Sequence, residues 1–296
     1  MIEQSEKVDA VMKKLEHVAE LPTLPHIAST LLQMVYSSDC SIPEIGRVIE
    51  RDPALAANVL KLVNSPLFGV RQRIVDISKA LVLLGIREIV NLVSGLVVFR
   101  MFDASKGKSV FLRKDFWLHS AGCAVLSRSI AKAAAINSSG EEFVAGLLHD
   151  IGKILLDQYF PKEFARVVQL AEREQISMYD AEKRVLDISH PELGRWIAKK
   201  WNLPRSITDA IAEHHAPGNA HNPVLVSVVH SANLLCKVCN IGYSGYSYGY
   251  SLSDDVGWRI LQEKSVKLAE IDLESFTEEA GAEIENAREF LRISTG

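Results

Sequence analysis

Apolar residues recur along this chain at helical spacing, and nowhere do apolar and polar positions alternate over a run long enough to build a sheet. A polar helix is predicted over residues 6–20. It is stopped by Leu21-Pro22-Thr23-Leu24-Pro25, since a helix cannot continue through two prolines three apart. Ile27, Leu31, Leu32, Met34 and Val35 mark the next helix, up to the turn Ser37-Ser38-Asp39. Helices follow over 42–50 and 54–63, parted by Arg51-Asp52-Pro53, where Asp52 reads as an N-cap ahead of a proline at the first helical position. Asn64-Ser65-Pro66 ends that helix, and two more are expected over 77–84 and 86–99, on either side of Gly85. The predicted fold class is all-α.

The second half continues in the same way, with polar residues now set on the helices. A helix over 116–135 carries His119, Asn137-Ser138-Ser139-Gly140 breaks it, and Ser139 with Glu142 predicts a capping box opening the next. Ser189-His190-Pro191-Glu192 reads as a helix start, running to Trp201 and halted before Pro204. A helix over 205–215 holds His214 and His215 in its last turn and is closed by Pro217-Gly218. Asn222-Pro223 then caps a helix with His230 and Asn233 one turn apart. Closing helices are expected over 253–262 and 275–292. This divides the chain into an N-terminal helical subdomain (1–105), a helical subdomain bearing the histidines (106–240), and a Gly/Tyr/Ser loop with closing helices (241–296), with a hinge at 103–108. No internal repeat is evident.

Composition narrows the function classes. The 296 residues are 48% hydrophobic and 24% charged, with a formal charge of −4, so there is no basic field to draw a nucleic acid, and none is expected as a partner. The N-terminus is charged and lacks the apolar stretch of a secretory signal. The longest apolar run, 89–99, is broken by Asn91 and Ser94 and falls short of the about 20 residues that span a bilayer. A cytoplasmic protein without a membrane span is the expectation. Four cysteines in a chain this long do not form a disulfide framework. Cys236 and Cys239 make a C-x-x-C, half of a zinc site or a redox pair in one reading; with no second cysteine pair, buried thiols on a helix are expected instead.

The chemistry gathers at Gly146-Leu147-Leu148-His149-Asp150-Ile151-Gly152-Lys153. A histidine and an aspartate after an apolar run are costly to bury unless something ties them together, and a metal ion does so. Adjacent helical residues point about 100° apart, so further ligands have to come from other helices. Seven of the nine histidines lie between positions 119 and 230, several at predicted helix ends, and this concentration is what singles them out. His190 falls at a helix N-terminus, where the dipole favours the neutral imidazole that a metal requires. Plainer readings stand beside these. His149 could be oriented by its neighbouring carboxylate, Lys153 could be a solvated helix residue, and His230 reads as a hydrogen-bonded interior histidine. His17, His26 and His221 receive no functional reading. The four tyrosines between Gly242 and Ser251 could stack on a base, although a mobile surface loop is the expected form.

The run His119, His149-Asp150, His190-Pro191-Glu192, His214-His215 resembles the HD superfamily of metal-dependent phosphohydrolases, and residues 146–153 look like those of HD-GYP phosphodiesterases of cyclic dinucleotides. The first half resembles another branch. Leu21-Pro22-Thr23-Leu24-Pro25, Asp52-Pro53, Val63-Asn64-Ser65-Pro66 and the segment 80–85 are similar to the HDOD domain, the HD-related output domain of bacterial signalling proteins. The resemblance implies a first metal held by His119, His149, Asp150 and a late aspartate, where this chain has Asn233, a neutral and weaker donor. A second ion would share Asp150 and take His190 and His214, with His215 as a further ligand or a supporting donor. The ions would be transition metals: Fe, Mn, Ni or Zn. In an active phosphohydrolase, Asp150 and Lys153 would carry catalysis, Lys153 reaching a phosphate oxygen, but Ala216-Pro217-Gly218 replaces the substrate-side Gly-Tyr-Pro motif. The expected function is therefore a signalling module with a retained metal site, its partner a signalling protein or a small phosphorylated ligand. A nucleotide or cyclic-dinucleotide phosphohydrolase is the alternative, and di-iron oxygenase chemistry a distant third.

Overall fold

Residues 23–36, 40–103, 113–137, 139–243, 245 and 252–295 are described by a computed structural model of the chain; among them there is no strand. The helix expected over 6–20, the turn 37–39, most of the 103–108 hinge and most of the tyrosine-rich loop lie outside the described residues.

The N-terminal half comprises α1 (His26–Tyr36), α2 (Ile42–Glu50), α3 (Pro53–Val63), α4 (Ile77–Leu84) and α5 (Ile86–Asp103). Local chemistry sets these ends. The Leu55 N–H donates to Asp52 Oδ1 at 2.9 Å, so Asp52 is the cap that Asp-Pro predicts. Asp76 caps α4 through Lys79 N, and Gly85, at φ +96°, turns the chain sharply into α5. Most of α5 is buried, which explains why its apolar residues run almost continuously instead of keeping to one stripe.

The rest comprises α6 (Arg113–Ala133), α7 (Glu141–Leu148), α8 (Ile151–Tyr159), α9 (Pro161–Glu174), α10 (Met178–Leu186), α11 (His190–Lys200), α12 (Arg205–Glu213), α13 (Pro223–Val238), α14 (Val256–Lys264), α15 (Val266–Ala269), α16 (Leu273–Ala282) and α17 (Ile284–Thr295). Three sequence readings need correction. The Ser139–Glu142 capping box does not form. Gly140, at φ +79°, takes the cap position and the Ser139 carbonyl accepts from Asn91 Nδ2 at 2.9 Å. The two expected closing helices are four, broken at Ser265, Asp272 and Glu283; the Ser265 and Asp272 side chains cap the helices that follow them. Cys236 is buried on α13 as expected, but Cys239 is half-buried at the C-cap of that helix.

One hydrophobic cluster runs from Ala28 on α1 through α5, α6 and α8 to Ile211 on α12, and takes in Ala287, Phe290 and Ile293 of α17. The last helix thus returns to pack on α6, α5 and α3. A second cluster joins α6 to α13, α14 and α16. No single described helix is long and apolar enough to cross a membrane; α4 and α5 meet that test only together, across a 119° bend.

Candidate metal centre

Six helices, α6, α7, α8, α11, α12 and α13, meet around the break between α7 and α8. His149 and Asp150 are that break, one the C-cap of α7 and the other the N-cap of α8, so their side chains leave the helical ladder and face the junction. Two glycines of the motif let the other helices close in. A Cβ on Gly146 would stand 2.6 Å from the Cys123 carbonyl on α6, and one on Gly152 only 2.0 Å from the His190 carbonyl on α11.

Asp150 is the hub. Its Oδ1 lies 3.1 Å from His190 Nε2 and 3.6 Å from His214 Nε2, and its Oδ2 lies 3.2 Å from His149 Nε2. All four residues are completely buried. The histidines are oriented alike. His149 Nδ1 faces the Gly146 carbonyl at 2.8 Å, His214 Nδ1 faces that of Ile211 at 2.9 Å, and His190 Nδ1 faces Glu182 Oε2 at 2.7 Å. With Nδ1–H donating outward, each Nε2 turns its lone pair toward Asp150. His149 Nε2 is buried without a hydrogen-bond partner. An orphaned imidazole nitrogen beside a carboxylate and two more imidazoles fits a metal ion, which would take the lone pairs that crowd together here.

His215 is half-buried, its Nε2 3.1 Å from His190 Nε2, with the Tyr179 ring 5.0 Å away. His190, His214 and His215 thus form one donor group, while His119, His149 and Asp150 form another. His119 also meets Asn233, with Nε2 3.1 Å from Oδ1, while its Nδ1 faces the Ile241 carbonyl at 3.3 Å. The seven residues singled out as ligands therefore share one site. His230 stands apart from it, bonded to the His214 carbonyl and to Asp255 at 2.6 and 2.7 Å.

Lys153 is buried, not solvated. Its ammonium donates to Asp150 Oδ2 at 2.7 Å. With Lys153, residues Phe116, Phe164, Val168, Met178, Tyr243 and Gly245 line a space of about 10 Å³, too small for a phosphate. The segment 241–243 is seated tightly: the Tyr243 N–H donates to the Asp115 carbonyl at 3.0 Å, and Gly242 has φ +65°.

Burial pushes the imidazoles of His119, His214 and His215 well below their ordinary value, helped by neighbouring imidazoles. Burial alone would raise the Asp150 carboxyl. His149, Lys153 and His190 outweigh it and hold Asp150 well below the usual carboxylate range. Neutral His119 and His214 near an ionised Asp150 are protonation states that suit a metal.

Two contributors were not legible as candidates. Glu182, fully buried, accepts from both the backbone N–H and Nδ1 of His190 at 2.7 Å each, but it lies on α10, in a stretch from which no element was predicted. Cys123 lies 3.4 Å from His119 Nε2 and belongs to a third donor group with Cys236. The spacing His119-x-x-x-Cys123 on one helix face was the available signal.

A model of the HDOD domain matches residues 21–217. An uncharacterised protein of Treponema pallidum (strain Nichols) is 26% identical over 226 residues; the match takes in 75% of this chain and 43% of that protein, so the chain spans less than half the length of this curated relative. The fold is similar to that of an HDOD domain protein of unknown function from Geobacter sulfurreducens, at 27% identity and a TM-score of 0.79, covering 96% of this chain and 98% of that one. It is also similar, in fold alone, to a candidate phosphohydrolase from Shewanella amazonensis SB2B (23% identity, TM-score 0.69, coverage 95% and 97%).

Proposed function

From the premise that the chain belongs to the HDOD family, we propose that it is a signalling module built around a retained metal centre, acting on a partner protein or in response to a small phosphorylated ligand. The observation that carries this reading is the closure around Lys153. Its ammonium is held by Asp150, and Phe116, Phe164, Met178, Tyr243 and Gly245 line the small space beside Lys153, so the group that would meet a phosphate faces a largely apolar wall. Asp150, with His149, His190 and His214, would hold the ion, and Glu182 orients His190. One or two ions, Fe, Mn, Ni or Zn, suit this mix of imidazole and carboxylate. Held this way, the metal ties α7, α8, α11 and α12 together and makes their packing sensitive to whatever binds nearby.

A phosphohydrolase acting on a nucleotide or cyclic dinucleotide is the second reading, favoured by one feature: the two donor groups flank one carboxylate, Asp150, as a pair of cations about 3.5–4 Å apart requires. When bound, such ions would supply Lewis acidity and neutralise charge on a phosphate. The chain's own contribution would be Lys153 released from Asp150 and the 241–243 segment displaced. Elemental analysis of protein purified without added metal, paired with hydrolysis assays on a generic phosphodiester and on cyclic dinucleotides, separates the readings. One or two ions per chain with no turnover is the expected result. Turnover that Asp150→Ala abolishes would install the second reading, and a protein that takes up no metal would sink both.

A further inference from the structure

The His119 edge of the site has a donor set that the His/Asp motif does not explain. His119 and Cys123 stand one turn apart on α6, and Asn233 and Cys236 one turn apart on α13, which packs directly on α6. All four are buried. His119 Nε2 lies 3.4 Å from Cys123 Sγ and 3.1 Å from Asn233 Oδ1, and one donor atom from each of His119, Cys123 and Cys236 lies within 4.8 Å of the other two. The helices are close enough here that a Cβ on Gly122 would stand 3.0 Å from Cys236 Sγ.

We propose that His119 and Asn233, together with Cys123 and Cys236, form a thiolate site for a thiophilic divalent ion, Zn2+ in the first instance, in place of the ion that His119, His149, Asp150 and Asn233 would otherwise hold. Zn–N and Zn–S bonds of about 2.0 and 2.3 Å give tetrahedral edges of about 3.5 Å for N to S and about 3.8 Å for S to S. His119 Nε2 is already near those separations from Cys123 Sγ and Asn233 Oδ1, and Cys236 Sγ lies within 4.8 Å of the His119 and Cys123 donors. Charge makes the same point. Asn233 brings none, so a divalent ion bound by His119 and Asn233 alone would sit uncompensated in a buried site. Two thiolates supply two negative charges and select a softer metal than Asp150 and its imidazoles do. Binding converts two thiols into two thiolates and releases two protons for each ion bound, leaving the metal's oxidation state unchanged. The site deepens the metal-centre reading at its His119 edge and uses none of His149, Asp150, His190 or His214.

Cobalt(II) is the probe, added to metal-depleted full-length protein kept reduced with a phosphine. A thiolate-to-cobalt charge-transfer band in the near ultraviolet is expected, displaced by one equivalent of Zn2+, with apparent affinity falling about 100-fold per pH unit on acidification because two protons compete. Cys123→Ser and Cys236→Ser should each weaken the band and the double variant should lose it. His190→Ala and His215→Ala should leave it intact while reducing any metal bound at Asp150. X-ray absorption of the zinc-loaded wild-type protein needs no variant: sulfur neighbours at about 2.3 Å are expected. Zinc bound through nitrogen and oxygen alone, or no zinc uptake at all, would overturn the thiolate site. The Asp150 centre fails separately, if sulfur-ligated metal is the only metal found.

Discussion

At the scale of single residues, the site is a set of mutually dependent donors. Glu182 fixes His190 through two 2.7 Å contacts, one to the ring Nδ1 and one to the backbone N–H, and groups of this kind typically account for 10- to 100-fold in metal affinity. Glu182→Gln is therefore expected to weaken metal binding by about that factor while leaving the helical content unchanged. Chelator competition measures it, and an unchanged affinity would mean that His190 is not a ligand. Titration gives a second test. His119 faces His149 and Asp150, and His214 faces His149, Asp150 and His190; burial keeps both neutral well below the ordinary 6.5. Their unfolded forms take up protons near pH 6.5 and the folded forms do not, so stability is intact above that pH and falls as pH drops through and below it. Each imidazole that stays neutral is expected to cost about 1.4 kcal/mol per pH unit in metal-free protein. Urea melts between pH 5 and 8 would show the loss; a flat profile would mean that the imidazoles charge freely in the fold.

Among the elements, the α7–α8 break governs the geometry. The sequence displays His149-Asp150 plainly, but not that the two residues are a C-cap and an N-cap, which is what turns both side chains into the same junction. Gly152 then sets how near α11 can approach. Because its Cβ would fall 2.0 Å from the His190 carbonyl, Gly152→Ala forces α8 and α11 apart. Overpacking of this sort typically costs about 1–3 kcal/mol. The expected outcome is a loss in that range together with weakened metal binding, since His190 moves with α11. Thermal melts read against metal content would check it, and a variant with unaltered melting and metal would show that the close approach is dispensable.

For the whole molecule, the continuous core matters more than any boundary drawn in the sequence. α17 is the last element of the chain, yet Phe290 is fully buried, with Phe99 of α5 at 6.1 Å and Phe143 of α7 at 5.3 Å, both edge-on. Phe290→Ala should cost about 3–5 kcal/mol, as buried aromatic truncations do. Because the cluster around Phe290 reaches from α1 to α12, chemical denaturation is expected to remain one transition, shifted to lower denaturant. Two separated transitions would show that the N-terminal and metal-bearing halves unfold independently.

The chain by itself determined the all-helical class, the Asp52 and Asn222 caps, the helix start at His190 and the histidines worth watching. These are local matters: periodicity, a proline at the first helical position and side-chain caps act over a few residues. Only the tertiary structure decided the rest. Glu182 joins the site because its side chain on α10 meets His190 of α11 only in the folded chain, and no local signal announces such a meeting. Lys153 could be solvated or a phosphate contact as far as sequence goes. Burial beside Asp150 removes the solvated reading, because a lysine packed beside Phe116, Phe164 and Met178 has its ammonium held by the Asp150 carboxylate.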